Sequence, residues 1–369
     1  MRILYFSRDY TTHDHRYLSA LATTEHQVGF LRLEKRGHDL EDRPLPPDIE
    51  LIPWAGGKSP AKLRNGLSLL LGLQKVIREF NPDLVQAGPL QRSAFLAALS
   101  GFHPLVSMSW GYDLLMDVNR DRWWEWATRY TLRRTDALVG DCDTIRNLAV
   151  KYGMAGDRIV TFPWGANIDK YSPGDDGGLR ERLGWGNDTF VLLSTRGWAP
   201  IYGVDDLARA FVRAARQRPE LRLLMLGNGP LAPKIRQIFM QADVLDRVHF
   251  PGQVNQNDLP NFYRAADLYI STSHSDGTSI SLLESLGCGT PVLLTDIPGN
   301  QEWITSQGDV GWLFRDGDVD SLVEGILRAV DLREQLPAMG QTARRLAESR
   351  ANWEKNFPQL FEAYQIALS

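Results

Sequence analysis

Asp276, Gly277 and Glu284 have types and a spacing that would place an anion and a pair of hydroxyls side by side. They lie in the stretch 271–303, STSHSDGTSISLLESLGCGTPVLLTDIPGNQEW. The apolar run Leu268–Ile270 before it reads as a buried strand. A polar loop follows over Ser271–Gly277, then a short helix over Ser279–Leu286 closing at Gly287, then a second buried strand over Pro291–Leu294. Asp276 and Gly277 thus stand just ahead of a helix N-terminus. Free backbone N–H groups and the helix dipole favour an anion there, and Gly277 lacks a side chain that would block its approach. Glu284 has the wrong sign for a phosphate but accepts hydrogen bonds from a hydroxyl pair. The chemistry that fits is nucleotide binding, with a diphosphate at the helix end and a ribose beside Glu284.

Further candidates sit where strands end. Arg196 follows the strand Phe190–Ser194 in LLSTRGWAPIYGVDDL. A strand-end Arg in an open α/β sheet faces the ligand crevice and can grip a diphosphate with both arms; a surface ion pair is the plainer reading. Gly227-Asn228-Gly229-Pro230 follows the strand Leu221–Leu226, but a third glycine is missing and Pro233 interrupts the helix start, which argues against a nicotinamide or flavin site. In Ser109-Trp110-Gly111-Tyr112-Asp113, the Trp110 indole can stack on a sugar ring or pack in the core; it cannot accept a proton. The loop SRDYTTHDHRYL crowds Arg8, Asp9, His13, Asp14, His15 and Arg16 together, which suits a polar or phosphorylated acceptor and equally a solvated loop with a capped helix. The cluster Arg122-Trp123-Trp124-Glu125-Trp126 reads as helix packing, with contact to a membrane surface or a lipid acceptor as the alternative.

The stretch around Asp276 also resembles the signature of the family 4 retaining glycosyltransferases of the GT-B fold. That signature has two acids with seven residues between them, the second on a helix followed by Gly-x-Pro-Val. Asp276, Glu284 and Gly289–Val292 supply it, with Asp276 standing where Glu is usual. The resemblance spans nearly the whole chain, strongest over 190–303 and weak in the first 60 residues. It implies that Arg196 contacts donor phosphates, and that Tyr202 stands where a second, lysine contact is usual. It places Gly227 on the donor cleft and the backbone near Gln253, in VHFPGQV, at the nucleotide base. Trp110 stands where the family has a His that approaches the transferred sugar. Asp113 matches the family's Asp, to bind a sugar hydroxyl or buttress the loop. Pro163-Trp164-Gly165-Ala166-Asn167 matches the family's Pro-Asn-Gly-Val-Asp only loosely.

The implied function is sugar transfer from a nucleotide-sugar, a UDP- or GDP-sugar, to a hydroxyl of a glycan, lipid or small-molecule acceptor, as in cell-envelope polysaccharide biosynthesis. Arg196, Asp276 and Glu284 are the expected catalytic residues. Tyr202, Gly227, Gln253, Gly277, Thr278, Ser279 and Ile280 join Arg196 and Glu284 in holding the donor. His13, Asp14, Arg16, Trp110 and Asp113 face the acceptor. Front-face attack with retention needs no cofactor and no metal. Asp141-Cys142-Asp143 matches a metal motif of the other glycosyltransferase fold only superficially, and Asp143 reads better as an N-cap beside Thr144. Two other functions share this architecture, a nucleotide-sugar 2-epimerase and a non-catalytic partner subunit.

Composition agrees with two ordinary domains. The chain has 369 residues, 43% hydrophobic and 23% charged, which exceeds one typical domain. A net charge of −4 implies no attraction to nucleic acid. Residues 1–165 hold 21 Lys+Arg against 19 Asp+Glu, a slightly basic half that can rest on an anionic membrane surface. Cys142 and Cys288 are too few for a disulfide framework, and a reducing cytoplasm is the simplest compartment. The chain opens directly on a strand, so no signal peptide is expected, and no apolar run approaches the ~18 residues of a membrane span.

Strands are expected at 3–6, 28–33, 49–52, 84–87, 105–109, 137–140 and 159–162, with helices at 15–22, 61–80, 91–99, 121–134 and 144–152. Residues 37–60 read as mostly loop. Loop-like residues 165–186 read as an interdomain connection, after which strands resume at 190–194, 221–226, 248–250, 268–270 and 292–294. Helices near 319–330, 336–349 and 357–367 follow. The fold class is therefore α/β, of the GT-B kind: two Rossmann-like domains facing across a cleft, residues 1–165 for the acceptor and 166–349 for the donor. The resemblance implies that a C-terminal helix, 350–369, crosses back to the first domain. Monomer and homodimer both remain open.

Overall fold

The structure is a computed structural model that describes residues 1–35, 41–61, 63–304 and 310–369, the side chain of Leu63 excepted. Parts of the expected loop 37–60 and helix 61–80 lie outside the described residues. The chain divides into two compact units, Met1–Phe162 with Phe357–Ser369, and Pro163–Asn356.

The first unit carries seven parallel strands: β1 (Arg2–Ser7), β2 (Gln27–Arg32), β3 (Ile49–Leu51), β4 (Leu84–Gly88), β5 (Leu105–Met108), β6 (Ala137–Gly140) and β7 (Ile159–Thr161). Their order is β3-β2-β1-β4-β5-β6-β7, so the direction of growth reverses between β1 and β4. Parallel strands buried on both faces must be apolar throughout, and β4, β5 and β6 are buried from end to end. The helix Thr12–Ala22 opens three residues earlier than its periodicity indicates. Thr11 and Asp14 form a capping box that satisfies the first amides. The last helix, Gln359–Leu368, packs on this sheet, and the Tyr364 hydroxyl donates to Gln86 on β4.

The second unit carries β8 (Phe190–Ser194), β9 (Leu221–Leu226), β10 (Val248–Gly252), β11 (Leu268–Ser271), β12 (Val292–Thr295) and β13 (Gly311–Phe314). All pair in parallel, in the order β10-β9-β8-β11-β12-β13, with the reversal between β8 and β11. Alternation builds two cores. Phe190, Leu192, Leu223 and Met225 feed one, and Val191, Leu193, Leu224 and Leu226 the other. The helix Val204–Gln217 closes the first with Val204, Leu207, Ala208, Phe211 and Ala215, an i, i+3, i+4 stripe.

Three further expectations change. Residues 165–186 are packed rather than a bare connection: Ala166, Ile168, Tyr171, Leu179 and Trp185 are buried in the second core, and Leu179–Arg182 is helical. Asp143 is the first residue of its helix, and Cys142 takes the N-cap position with extended backbone. β13 was not anticipated; it is a four-residue edge strand, too short for its period to show.

Candidate functional site

The helix after β11 runs over Ile280–Cys288, two residues beyond the expected stop. Gly289 ends it in the left-handed region (φ 75°), as a C-cap glycine does. Gly287 lies inside the helix, where a side chain is excluded because a Cβ would meet the Tyr171 carbonyl at 2.8 Å. Ser279 occupies the N-cap position but makes no capping hydrogen bond. Its hydroxyl instead accepts from Arg196 Nη1 at 2.7 Å. The helix N-terminus therefore keeps its amides uncapped by Ser279 and gains a cation beside them.

Arg196 joins three parts of this site. Its Nη2 donates to Asp276 Oδ2 at 2.6 Å, and its guanidinium lies 4.4 Å from the Tyr202 ring centroid. Nε has no partner among the described residues. Burial lowers the Arg196 pKa, but Asp276 together with Tyr269, Tyr202 and Tyr263 outweighs it, and the net direction is upward. Burial raises the Asp276 pKa against the pull of Arg196. Arg196 lies two residues beyond β8 and Asp276 five beyond β11, the two strands that flank the reversal of order. The expected ligand crevice of an open sheet is there.

Tyr202 turns its ring face to Arg196, while its carbonyl accepts from Thr272 at 2.8 Å. A tight turn makes this possible. Gly203 sits at φ 56°, where a Cβ would stand 2.2 Å from the Thr272 carbonyl. Gly299, missed in the sequence, has the same function from the other side. A Cβ on it would meet the carbonyls of Gly277 and Asp276 at 2.4 and 2.7 Å. The Pro298-Gly299 pair was the available signal.

Glu284 is the fifth residue of the same helix, is buried, and accepts from the Tyr263 hydroxyl at 2.9 Å. Tyr263 was not anticipated. It comes from the separate helix Leu259–Ala265, and nothing in the local pattern marks it. The Trp303 indole donates to Thr278 at 3.4 Å. Gly227 and Gly229 let their turn press on residues 196–198: a Cβ on Gly229 would lie 2.5 Å from the Trp198 carbonyl, and Trp198 N donates to the Asn228 carbonyl at 3.0 Å. Gln253 lines an open pocket of about 410 Å³ with Arg182, Asn255, Asp258, Asn261 and Phe262 among its neighbours.

In the first unit the expected acceptor residues separate by burial. Asp14 is fully buried and accepts from Thr11 N (2.9 Å), Thr11 Oγ1 (2.5 Å) and Tyr5 Oη (3.1 Å). Asp113 is fully buried and accepts from Ser109 Oγ (2.5 Å) and from the amides of Leu90, Trp110 and Leu114. Burial raises both carboxyls from 3.8 to about 6. These two acids hold the helix start and the loop, and neither presents a free oxygen to an acceptor. His13 and Trp110 do pair, with ring centroids 5.4 Å apart. Burial, then Arg16, lowers the His13 pKa from 6.5 to about 4. Among the described residues no group of three or more His, Cys, Asp or Glu side chains could hold a metal ion, and no helix is long and apolar enough to cross a membrane.

Comparison with known proteins follows the same division. Residues 177–346 match the family described as glycosyl transferases group 1, and residues 2–142 the family described as glycosyl transferase 4-like. A D-inositol 3-phosphate glycosyltransferase of Geodermatophilus obscurus is 31% identical over 250 residues, 63% of this chain and 53% of that protein. The chain thus spans about half the length of that relative. A GDP-mannose-dependent monoacylated alpha-(1-6)-phosphatidylinositol monomannoside mannosyltransferase of Corynebacterium glutamicum is 25% identical over 82% of this chain and 72% of its own length. Among solved structures, sucrose-phosphate synthase of Thermosynechococcus elongatus superposes with a TM-score of 0.81 at 17% identity, covering 99% of this chain and 98% of its own. Anabaena HepE in complex with UDP-glucose gives 0.80 at 19% identity, covering 99% of each chain.

Proposed function

This chain belongs to the group 1, family 4-like glycosyltransferases of the GT-B fold, and on that premise we propose that it is a retaining transferase that moves a sugar from a nucleotide-sugar to an acceptor hydroxyl. The observation that carries this reading is the grip of Arg196 on both Asp276 and Ser279 at the N-terminus of the helix Ile280–Cys288. These bonds use one N–H on each terminal nitrogen, so the second N–H of each remains for a diphosphate. The amides of Gly277–Ile280 add donors of the same sense. Glu284, held by Tyr263, takes the ribose hydroxyls, and Gln253 lies at the base. Asp276 faces the transferred sugar. As the sugar leaves, charge grows on the diphosphate, and Arg196 is already in position to stabilise it.

In this reading the second unit holds a UDP- or GDP-sugar and the first unit the acceptor, through His13, Arg16 and Trp110. The acceptor hydroxyl attacks from the face that the diphosphate leaves, so the configuration is retained. No metal takes part. Trp123 and Trp126 are about half exposed and stacked at 4.8 Å on an arginine-rich helix, which supports peripheral contact with the cytoplasmic membrane surface and a lipid-linked acceptor.

The test is calorimetry with UDP- and GDP-sugars on the wild-type protein and Glu284→Ala. Loss of affinity in the variant is expected, and unchanged donor binding would overturn the ribose assignment. A product assay in the presence of chelator then checks transfer. A nucleotide-sugar altered without any acceptor would show an epimerase instead.

A further inference from the structure

The first unit has its own reversal of strand order, between β1 and β4. Arg8 follows β1 directly. Arg92 follows β4 on a wide, π-type turn, Leu90–Ala94, a distortion frequent at functional sites. Beyond β5, the next strand, come Tyr112 and then Arg120. Three cations thus gather at the carboxyl ends of the central strands, where an open parallel sheet binds ligands.

Their pairing is incomplete. Arg8 donates from Nε to Glu34 at 2.6 Å and so is balanced. Arg92 and Arg120 are not. Both guanidinium groups stack on one indole, that of Trp124, at 4.7 and 4.8 Å from the ring centroid. Neither makes an ion pair or a side-chain hydrogen bond among the described residues, and Arg92 Nε is buried without a partner. Like charges on a shared ring repel, and among the described residues neither guanidinium has an acid in ion-pair contact to offset this. The acids that face them are Glu34, already bonded to Arg8, and Asp117. Burial, then the Arg8 charge, lowers the Arg92 pKa, and burial raises that of Asp117 in spite of the arginines. An anion brought to this site would relieve the repulsion that the fold maintains.

We infer that Arg92 and Arg120, stacked on Trp124 beside Arg8, form a binding site for a phosphate group carried by the acceptor. The assignment rests on the transferase reading above, since it names what the first unit holds. Geometry favours phosphate over a neutral glycan. Planar guanidinium forks match its oxygens in pairs, and stacking fixes their planes in advance. The same chemistry serves a soluble phosphate ester and a lipid headgroup.

The experiment uses the full chain and two probes, glycerol 3-phosphate, and phosphatidylcholine vesicles doped with phosphatidic acid. Glycerol and undoped vesicles are the controls. Calorimetry should show binding of glycerol 3-phosphate that weakens with salt and drops about tenfold or more in each of R92Q and R120Q. R92K should recover part of it. R196Q should leave it unchanged while abolishing nucleotide binding, which separates this site from the donor's phosphates. Flotation on doped vesicles that is lost in R92Q assigns the lipid source, and binding of the soluble ester alone assigns the other. Arg120 is exposed, so R120Q tests the site without risk to the fold. The inference is overturned if R92Q and R120Q bind as the wild type does, if the wild type takes neither probe, or if R196Q alone removes phosphate binding. Failure of UDP and GDP to bind would instead strike the transferase reading, whatever the phosphate result.

Discussion

The guanidinium of Arg196 lies 4.4 Å from the ring centroid of Tyr202, flat support for a cation whose two terminal nitrogens reach other partners. The ring replaces a second positive charge with a surface that orients the first. Tyr202→Phe should therefore bind nucleotide as the wild type does, because the face and not the hydroxyl makes the contact. Tyr202→Ala should weaken it by about 3- to 10-fold, the worth of a partly desolvated cation–π pair. Calorimetry with the best-binding nucleotide decides. Equal losses in both variants would show that the hydroxyl matters.

Asp276 meets Arg196 with one oxygen, and the helix entry fixes its reach. Lengthening it by one methylene, Asp276→Glu, should keep nucleotide affinity and change the order of preference among sugars with a common nucleotide. Competition assays across such a series would show it. An unchanged order would remove Asp276 from sugar recognition.

Gly299 presses against the backbone of residues 276–277, which cannot yield as a flexible side chain does. Gly299→Ala should displace that loop. The expected result is at least about a tenfold loss in kcat/KM, on the order of one charge-assisted hydrogen bond, with a smaller effect on Tm. A full loss of folding would place Gly299 in the core, and no loss would mean that the loop moves freely.

His13 sets a pH dependence with a definite sign. Its pKa is lowered from 6.5 to about 4, so between these values the unfolded chain binds a proton that the folded chain does not. Stability from this group is present above pH 6.5 and is lost as the pH falls through that window. Asp14 and Asp113, raised from 3.8 to about 6, act oppositely, and their part is lost as the pH rises through that range. His13→Gln removes only the first. Relative to wild type it should gain about 1 to 3 kcal/mol between pH 7 and pH 4 in urea unfolding. A difference that does not vary with pH would contradict a half-buried histidine held neutral.

How much of this was legible in the sequence depends on how far apart the partners are. The strand-loop-helix unit around Asp276 could be read because its signals are local, an apolar run, a Gly loop and a Gly stop. Even there the stop was misplaced by two residues. Gly287 and Gly289 look alike in sequence, and only packing on Tyr171 tells them apart. Arg196 could be placed at a strand end, but its grip on Ser279, 83 positions away, could not. Tyr263 beneath Glu284 escaped for the same reason. For Asp14 and Asp113 the structural and the ligand-binding alternatives stayed open, because a carboxylate that caps a helix and one that meets a ligand have the same letter. Burial separates them, and burial is a property of the whole sheet.

The first unit is discontinuous: Met1–Phe162 is completed by Phe357–Ser369. Leu360, Ala363 and Tyr364 are buried in it, and each large apolar side chain there is worth about 1.5 to 3 kcal/mol. A ribosome delivers those residues after the whole of the second unit. Until then the nascent first sheet has a bare apolar flank, and Gln86 waits for its tyrosine. The first unit therefore cannot be complete until the last residues are made. The second unit can finish first although it is made second, and a stop codon just before Phe357 would damage the part of the protein synthesised earliest.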